Sequence, residues 1–246
     1  NMAPIPSALI TAGSAGLGAA TARLFARNGY NVVVNYANNA ERAESLVRDL
    51  RSSSPLAADQ QRFAAIKADL SRKDDLAELV RGAVAALGGR LDVLFSNGGW
   101  TRIRNLQDLD ENVDEDDWDR CFNMNVKSHL FLMHAARPHL DEAEGAFITT
   151  ASLAGVKVSG SSMAYAVTKA AQIHLVKALA MAAGPRIRVN SVSPGLLLTE
   201  QREAMREKTR LKRLPTVDDV ADQVLCFAKS RSVTGANVVI DGGLSL

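Results

Sequence analysis

The sequence predicts an α/β protein: one doubly wound domain over 1–246, with a central parallel seven-stranded sheet and helices on both faces. Three observations predict it. Short apolar runs and helical patterns alternate from end to end. The runs are apolar throughout rather than alternating, as strands covered on both faces are. No Pro/Gly/Ser linker is long enough to divide the chain, and nothing repeats. Each strand–helix–strand step then closes as a right-handed crossover.

The first strand is SALIT, 7–11, and the glycine-rich loop TAGSAGLG, 11–18, follows it. A helical pattern runs from Ala19 to Asn28, and Gly29 stops it. VVV, 32–34, reads as a buried strand, ERAESLVRDL, 41–50, as a helix and SSSPLAAD, 52–59, as a turn-rich connection. FAAIKADL, 63–70, is the third strand. Ser71 and Asp74 have the form of a capping box for a helix to about Leu87. LDVLFSN, 91–97, is the fourth strand, and an acidic loop, 108–118, leads into a long helix from about Asp116 to Arg137. AFITTAS, 146–152, is the fifth strand, a helix holds Tyr165 through Ala183, and IRVNSVSP, 187–194, is the sixth strand. The basic run 202–213 carries Glu203 and Glu207 in its first half and reads as a solvated helix or lid. The segment 199–214 is expected to cover a cleft. Thr216 and Asp219 cap another helix, and NVVIDGG, 237–243, is the last strand.

Composition narrows the function. Nearly half of the 246 residues are apolar, enough for a large core, and 29 basic against 27 acidic residues leave a net charge of +2. That balance gives no electrostatic case for nucleic acid or an anionic membrane surface. Cys121 and Cys226 read as reduced, buried thiols. The four histidines lack partners at metal-ligand spacing, so no metal is expected. No signal-like or membrane-spanning stretch is visible, which suggests a cytosolic protein.

The loop between the first strand and first helix suits a dinucleotide. Glycine there lets backbone approach a pyrophosphate, and the helix N-terminus offers N–H groups and partial positive charge. An acidic residue ending the second strand would select NAD(H). Here the chain reads VVVNYANNAER: Asn35, Tyr36, Asn38 and Asn39 are neutral and Arg42 is near, which favours NADP(H) over NAD(H). The plain alternative is a polar turn with Asn39 near the helix cap.

In YAVTK, 165–169, a helix would set Tyr165 and Lys169 on one face, a turn apart. With Asn125 in WDRCFNMN and Ser152 in TASLAG, thirteen residues before the tyrosine, this set resembles the short-chain dehydrogenase/reductase family over essentially the whole chain. TAGSAGLG resembles the family's TGxxxGxG: Thr11, Gly16 and Gly18 match, and Ala12 replaces the first glycine, with Gly13 beside it. SNGG, 96–99, stands where the family has NNAG. The resemblance implies a Rossmann domain with Asn125, Ser152, Tyr165 and Lys169 as catalytic residues. It implies cofactor contacts from Thr11, Gly13, Ser14, Gly16, Leu17, Gly18, Asn35, Tyr36, Asn38, Asp69, Leu70, Asn97, Gly98 and Gly99. Tyr165 and Lys169 contribute too, as do Pro194, Gly195, Leu197 and Thr199. It also implies a homotetramer, or a dimer, built on the helices holding Asn125 and Tyr165.

The chemistry has its own logic. A carbonyl accepting hydride becomes an alkoxide, and a positioned acid must deliver a proton. A free phenol titrates near 10, so Lys169 and a nicotinamide cation are expected to favour its phenolate. Ser152 would hold the substrate oxygen, and Asn125 would hold a water near Lys169. Trp100, Leu153, Met163 and Leu196 should surround an apolar, moderately bulky carbonyl or alcohol. Two other readings remain: an isomerase, dehydratase or cyclisation catalyst on the same fold, and a non-catalytic cofactor-binding protein.

Overall fold

The computed structural model describes residues 4–56, 60–195 and 202–246. Seven parallel strands form one sheet in the order β3-β2-β1-β4-β5-β6-β7. They are β1 Ser7–Ile10, β2 Asn31–Tyr36, β3 Phe63–Lys67, β4 Val93–Ser96, β5 Ala146–Thr150, β6 Arg188–Pro194 and β7 Asn237–Ile240. The helices are α1 Gly16–Arg27, α2 Ala40–Ser52, α3 Lys73–Ala86, α4 Glu115–Phe122, α5 Ser128–Ala143, α6 Met163–Ala183, α7 Arg202–Lys208 and α8 Val217–Lys229.

Alternate residues of one strand feed different cores, which is why the strands read as unbroken apolar runs. Ala8, Ile10, Val32 and Val34 turn towards Phe25 of α1, Leu46 and Leu50 of α2 and Val224 of α8. Leu9 and Val33 turn the other way, to Leu76 and Leu79 of α3, Leu132 of α5 and Val176 of α6. β1 pairs with both β2 and β4, so the strand order reverses there. Crossovers leave that point in opposite directions and open a crevice at the carboxyl ends of the strands.

The elements follow the expected order, with four corrections. α1 begins at Gly16, so the end of the glycine loop is already its first turn. The capping box expected at Ser71 does not form: the N-cap of α3 is Arg72, without a side-chain cap, and Ser71 Oγ donates to Asp69 Oδ1 at 2.7 Å. The long helix is α4 and α5 joined by a π turn, Asn123–Lys127, and α5 runs through Pro138 to Ala143. Proline removes one helix bond there, but Ala136 and Leu140 on either side are fully buried, and that packing carries the helix on. Cys121 is buried as expected, whereas Cys226 is exposed. The cap at Thr216 does form: Thr216 N donates to Asp219 Oδ2 at 2.7 Å and Asp219 N to Thr216 Oγ1 at 3.1 Å. Of the expected lid, 199–214, residues 199–201 lie outside the described residues, and α7 occupies its start beyond them.

Candidate active site

The loop after β1 is held by backbone and by one asparagine. Thr11 is fully buried; its N–H donates to Phe95 O at 3.0 Å, and its Oγ1 accepts from Asn97 N at 2.9 Å. Thr11 therefore ties β1 to β4. Ala12 takes a left-handed conformation, φ 47°, so the turn survives without the family's glycine. Its N–H donates to Asn35 Oδ1 at 3.1 Å, and Gly13 N donates to Asn35 O at 2.8 Å. Gly13 and Gly18 are packing glycines. A Cβ on Gly13 would stand 2.8 Å from Ile10 O, and one on Gly18 would stand 2.4 Å from Ala12 O. Gly16 differs: its φ is +49° and a Cβ there would meet nothing, so this glycine borders open space. Leu17 points into the core.

The N-cap of α1, Ala15, provides no side-chain hydrogen bond to the first turn. The opening N–H groups of this helix thus lack a side-chain acceptor, the arrangement that receives phosphate. A cavity of about 380 Å³ follows the loop past Ser14, Tyr36, Asn38, Arg42, Asp69 and Gly98. These features fit a dinucleotide.

Several residues around that cleft also carry structural duties. Asn35 lies on the cavity floor, but its side chain is spent: besides Ala12 N, its Nδ2 donates to Tyr36 O at 3.2 Å and Ala68 O at 3.1 Å. It braces the loop from the floor of the cavity. Asn39 caps α2 by accepting from Arg42 N at 2.9 Å, so the plain reading of that residue holds. Leu70 is buried against Gly98, where a Cβ would fall 2.3 Å from its Cδ1. Asp69 stays exposed at the rim, and the Ser71 hydroxyl and amide hold its carboxyl below the usual range. Asn97 joins β4 to β5, accepting from Thr150 Oγ1 at 2.8 Å.

The second half of the site is made of side chains. Ser152 follows β5, and its Oγ accepts from Ala154 N at 3.1 Å; its hydroxyl also stands near enough to Tyr165 to favour the phenolate. Ser162 caps α6 by accepting from Tyr165 N at 3.1 Å, which sets Tyr165 in the first turn. Lys169 is one turn further and buried, its Nζ 5.6 Å from the Tyr165 ring centroid. That ammonium donates to Thr150 O at 2.8 Å and to Gln172 Oε1 at 2.9 Å. Gly99 lets the site close up: a Cβ there would lie 3.3 Å from Asn125 Oδ1 and 3.5 Å from Lys169 Nζ.

Asn125 sits in the π turn and is fully buried. Its Oδ1 accepts from Trp100 N at 2.8 Å, and its Nδ2 donates to Trp100 O at 2.9 Å and Thr168 Oγ1 at 3.0 Å. With both amide protons and its oxygen bonded, its side chain anchors the Trp100 peptide to α6.

Electrostatics correct a further expectation. Burial raises the Tyr165 pKa, and the Ser152 hydroxyl only offsets part of that. Burial also lowers Lys169, to about 7. The chain alone therefore does not acidify the phenol. The ammonium is bonded to a carbonyl and an amide, and the low-dielectric interior disfavours both charges.

Tyr165 and Ser152 face a second, larger cavity of about 940 Å³, which Leu153, Pro194 and Gly195 also line. Trp100 and Met163 do not line it. The Trp100 ring lies 4.4 Å from the Arg120 guanidinium and 5.8 Å from that of Arg102, on a separate cavity beside Asp69. Met163 heads α6, with its N–H donating to Asn112 Oδ1 at 2.9 Å. Leu196, Leu197 and Thr199 lie outside the described residues. Sequence reasoning missed Ile103, Lys157, Met205 and Lys208 on this cavity, and Gln172 behind Lys169. Met205 and Lys208 lie in the segment 199–214 that was expected to cover a cleft, and Gln172 is a buried amide one turn beyond Lys169 on the same helix.

Among the described residues no three His, Cys, Asp or Glu side chains could hold a metal, and no helix is long and apolar enough to cross a membrane.

The arrangement has close counterparts. A family profile described as enoyl-(acyl carrier protein) reductase matches residues 11–245. The chain is 34% identical to a Streptomyces violaceoruber protein assigned as ketoacyl reductase 2 of the granaticin polyketide synthase, over 98% of this chain and 96% of that one. It is 31% identical to the 3-oxoacyl-[acyl-carrier-protein] reductase FabG of Staphylococcus epidermidis, over 97% and 98%. A short-chain dehydrogenase from Burkholderia cenocepacia, solved in complex with NADP, superposes with a TM-score of 0.87 at 32% identity, covering all of both chains. The chain belongs to the short-chain dehydrogenase/reductase family. It is an oxidoreductase of that family, and its seven-stranded parallel sheet is the family's Rossmann fold.

Proposed function

We propose that this dehydrogenase/reductase reduces a ketone with NADPH, Tyr165 acting as general acid. One observation carries the reading: the Tyr165–Ser152 pair faces the larger cavity while Lys169, behind it, meets Gly99 at the end of the glycine-loop cleft. A reacting carbon and a nicotinamide would meet there. The bound cofactor supplies the hydride. Ser152 and Tyr165 hold the carbonyl oxygen through their hydroxyls, and Tyr165 gives its proton as negative charge develops. Its raised pKa keeps the phenol protonated at neutral pH, the form a reduction requires. Lys169 then balances the phenolate that remains. One domain carries both binding and chemistry, and the described part of the expected lid, 202–214, borders the larger cavity through Met205 and Lys208.

NADP(H) is the cofactor on this reading. The neutral Tyr36 and Asn38 and the nearby Arg42 line the loop cavity, where an adenosine 2′-phosphate would meet a cation rather than a carboxylate. The substrate is a ketone with an apolar body, of the kind the ketoacyl reductases among its relatives are named for. Lys157 and Lys208 also line the larger cavity, and no carboxylate does among the described residues, which suits an acidic end better than a basic one. We further propose a homotetramer packed through α4–α5 and α6; a single 26-kDa species by light scattering at micromolar concentration would contradict that.

Fluorescence titration with NADPH and NADH, followed by cofactor oxidation across neutral, acidic and basic ketones, tests the reading. NADPH should bind more tightly, and Arg42→Ala should weaken it about tenfold while leaving NADH unchanged, the scale of one lost charge-assisted contact. Binding without oxidation of NADPH by any ketone would refute it.

A further inference from the structure

We propose that Gln172 is a positioning residue for Lys169: its side-chain carbonyl fixes the ammonium to the end of β5 and keeps it charged. The geometry is a closed triangle. Lys169 Nζ donates to Gln172 Oε1 at 2.9 Å and to Thr150 O at 2.8 Å, and Gln172 Nε2 donates to the same Thr150 O at 3.0 Å. Gln172 is fully buried, so its amide has no water to turn to. Thr150 is itself tied to β4 through Asn97. The long lysine side chain is thus anchored to the sheet, and two of its three donors are spent there. The third is left for the site.

Among the described residues, no carboxylate stands beside this charge. The ionisable groups that face Lys169 are Cys121 from α4, His129 from α5 and, at 5.6 Å from its ring centroid, Tyr165 on its own helix. Burial pushes the Cys121 thiol up and His129 down to about 3, so both are neutral near pH 7. The charged groups of the other packed elements are engaged or exposed elsewhere. Asp117 of α4 pairs with Arg102 and Arg104, Arg188 of β6 donates to carbonyls of α8, and Lys127 of the π turn faces solvent. The ammonium therefore depends on two neutral acceptors, one of them the Gln172 amide. A hydrogen bond to a charged group favours the charged form, so deleting this acceptor must lower the proton affinity of Lys169, and placing a carboxylate there must raise it.

The activity side of this inference rests on the reductase reading, but its primary test does not. In unliganded protein labelled with 13C at lysine Cε, the Lys169 titration midpoint is followed by NMR in the native chain, Gln172→Met and Gln172→Glu. The midpoint should fall by about one pH unit in the first variant and rise by about one in the second. The high-pH limb of kcat for ketone reduction should move in the same two directions, with KM for NADPH changing far less than kcat. Should Gln172→Met fail to fold, the upward shift in Gln172→Glu decides alone. Midpoints that stay put in folded variants, or kcat losses without movement of the limb, would reduce Gln172 to packing and overturn the proposal. Absence of any turnover in the native chain would remove the reductase reading and leave the NMR result standing.

Discussion

The two halves of the cleft are built on opposite principles. Around β1 and α1 the site consists of missing side chains: Gly13 and Gly18 let main chain touch main chain, and Gly16 leaves space open. Two polar side chains there are turned inward: Thr11 ties β1 to the end of β4, and Asn35 braces the loop. Around β5 and α6 the site consists of buried polar side chains, Asn125, Lys169 and Gln172, each bonded to the others' neighbours. The first half can be damaged by adding atoms, the second by removing donors and acceptors. One binds by letting a ligand approach; the other acts by holding charge where water cannot relax it.

The contrast can be broken most directly at Tyr165. Removing one oxygen in Tyr165→Phe should cut kcat about 1000-fold, within the usual range for a general acid, while NADPH affinity stays within about twofold by fluorescence titration. Retained turnover would move proton delivery elsewhere. On the glycine side, a single added carbon in Gly18→Ala would press on Ala12 O at 2.4 Å. It should cost about 1–3 kcal/mol in urea denaturation and weaken NADPH binding with it. An unchanged midpoint would show that the loop yields freely.

The buried ammonium predicts an unusual pH dependence. Lys169 titrates at about 7 in the folded chain, below the ~10.4 of an unfolded lysine. Between those values the unfolded chain binds more protons, so stability of the unliganded protein should rise with pH above 7. The slope contributed is at most about 1.4 kcal/mol per unit, and it vanishes below 7 because both states are then protonated. Lys169→Met should flatten that rise in denaturation curves taken at pH 7, 8 and 9. The smallest effect sharpens the same comparison. Ala12 is held at φ 47°, so Ala12→Gly should stabilise the fold by about 0.5 kcal/mol, relief of the left-handed strain less the entropy of glycine.

The order of elements was readable because each strand faces two cores and each helix one, which writes distinct periods into the chain. The face shared by Tyr165 and Lys169 was readable for the same local reason, since a single helical turn separates them, whereas Ser152 was legible only through the family's spacing. The roles of Asn35, Asn125 and Gln172 were not. An amide side chain looks the same in sequence whether its partners are a ligand or the backbone, and those partners come from residues 23, 25 and 22 positions away. Trp100 misled for a related reason. Its place in the chain puts it beside the site, but two arginines draw its ring to the other side of the wall.

Hydrophobic period, glycine spacing and helix turns are local, so the chain's letters alone determined the doubly wound fold, the phosphate-ready loop and the face shared by Tyr165 and Lys169. Which groups would be buried beside that ammonium was decided only when β4, β5 and α6 packed together. A proton's affinity depends on desolvation and on partners distant in the chain, and those exist only in three dimensions.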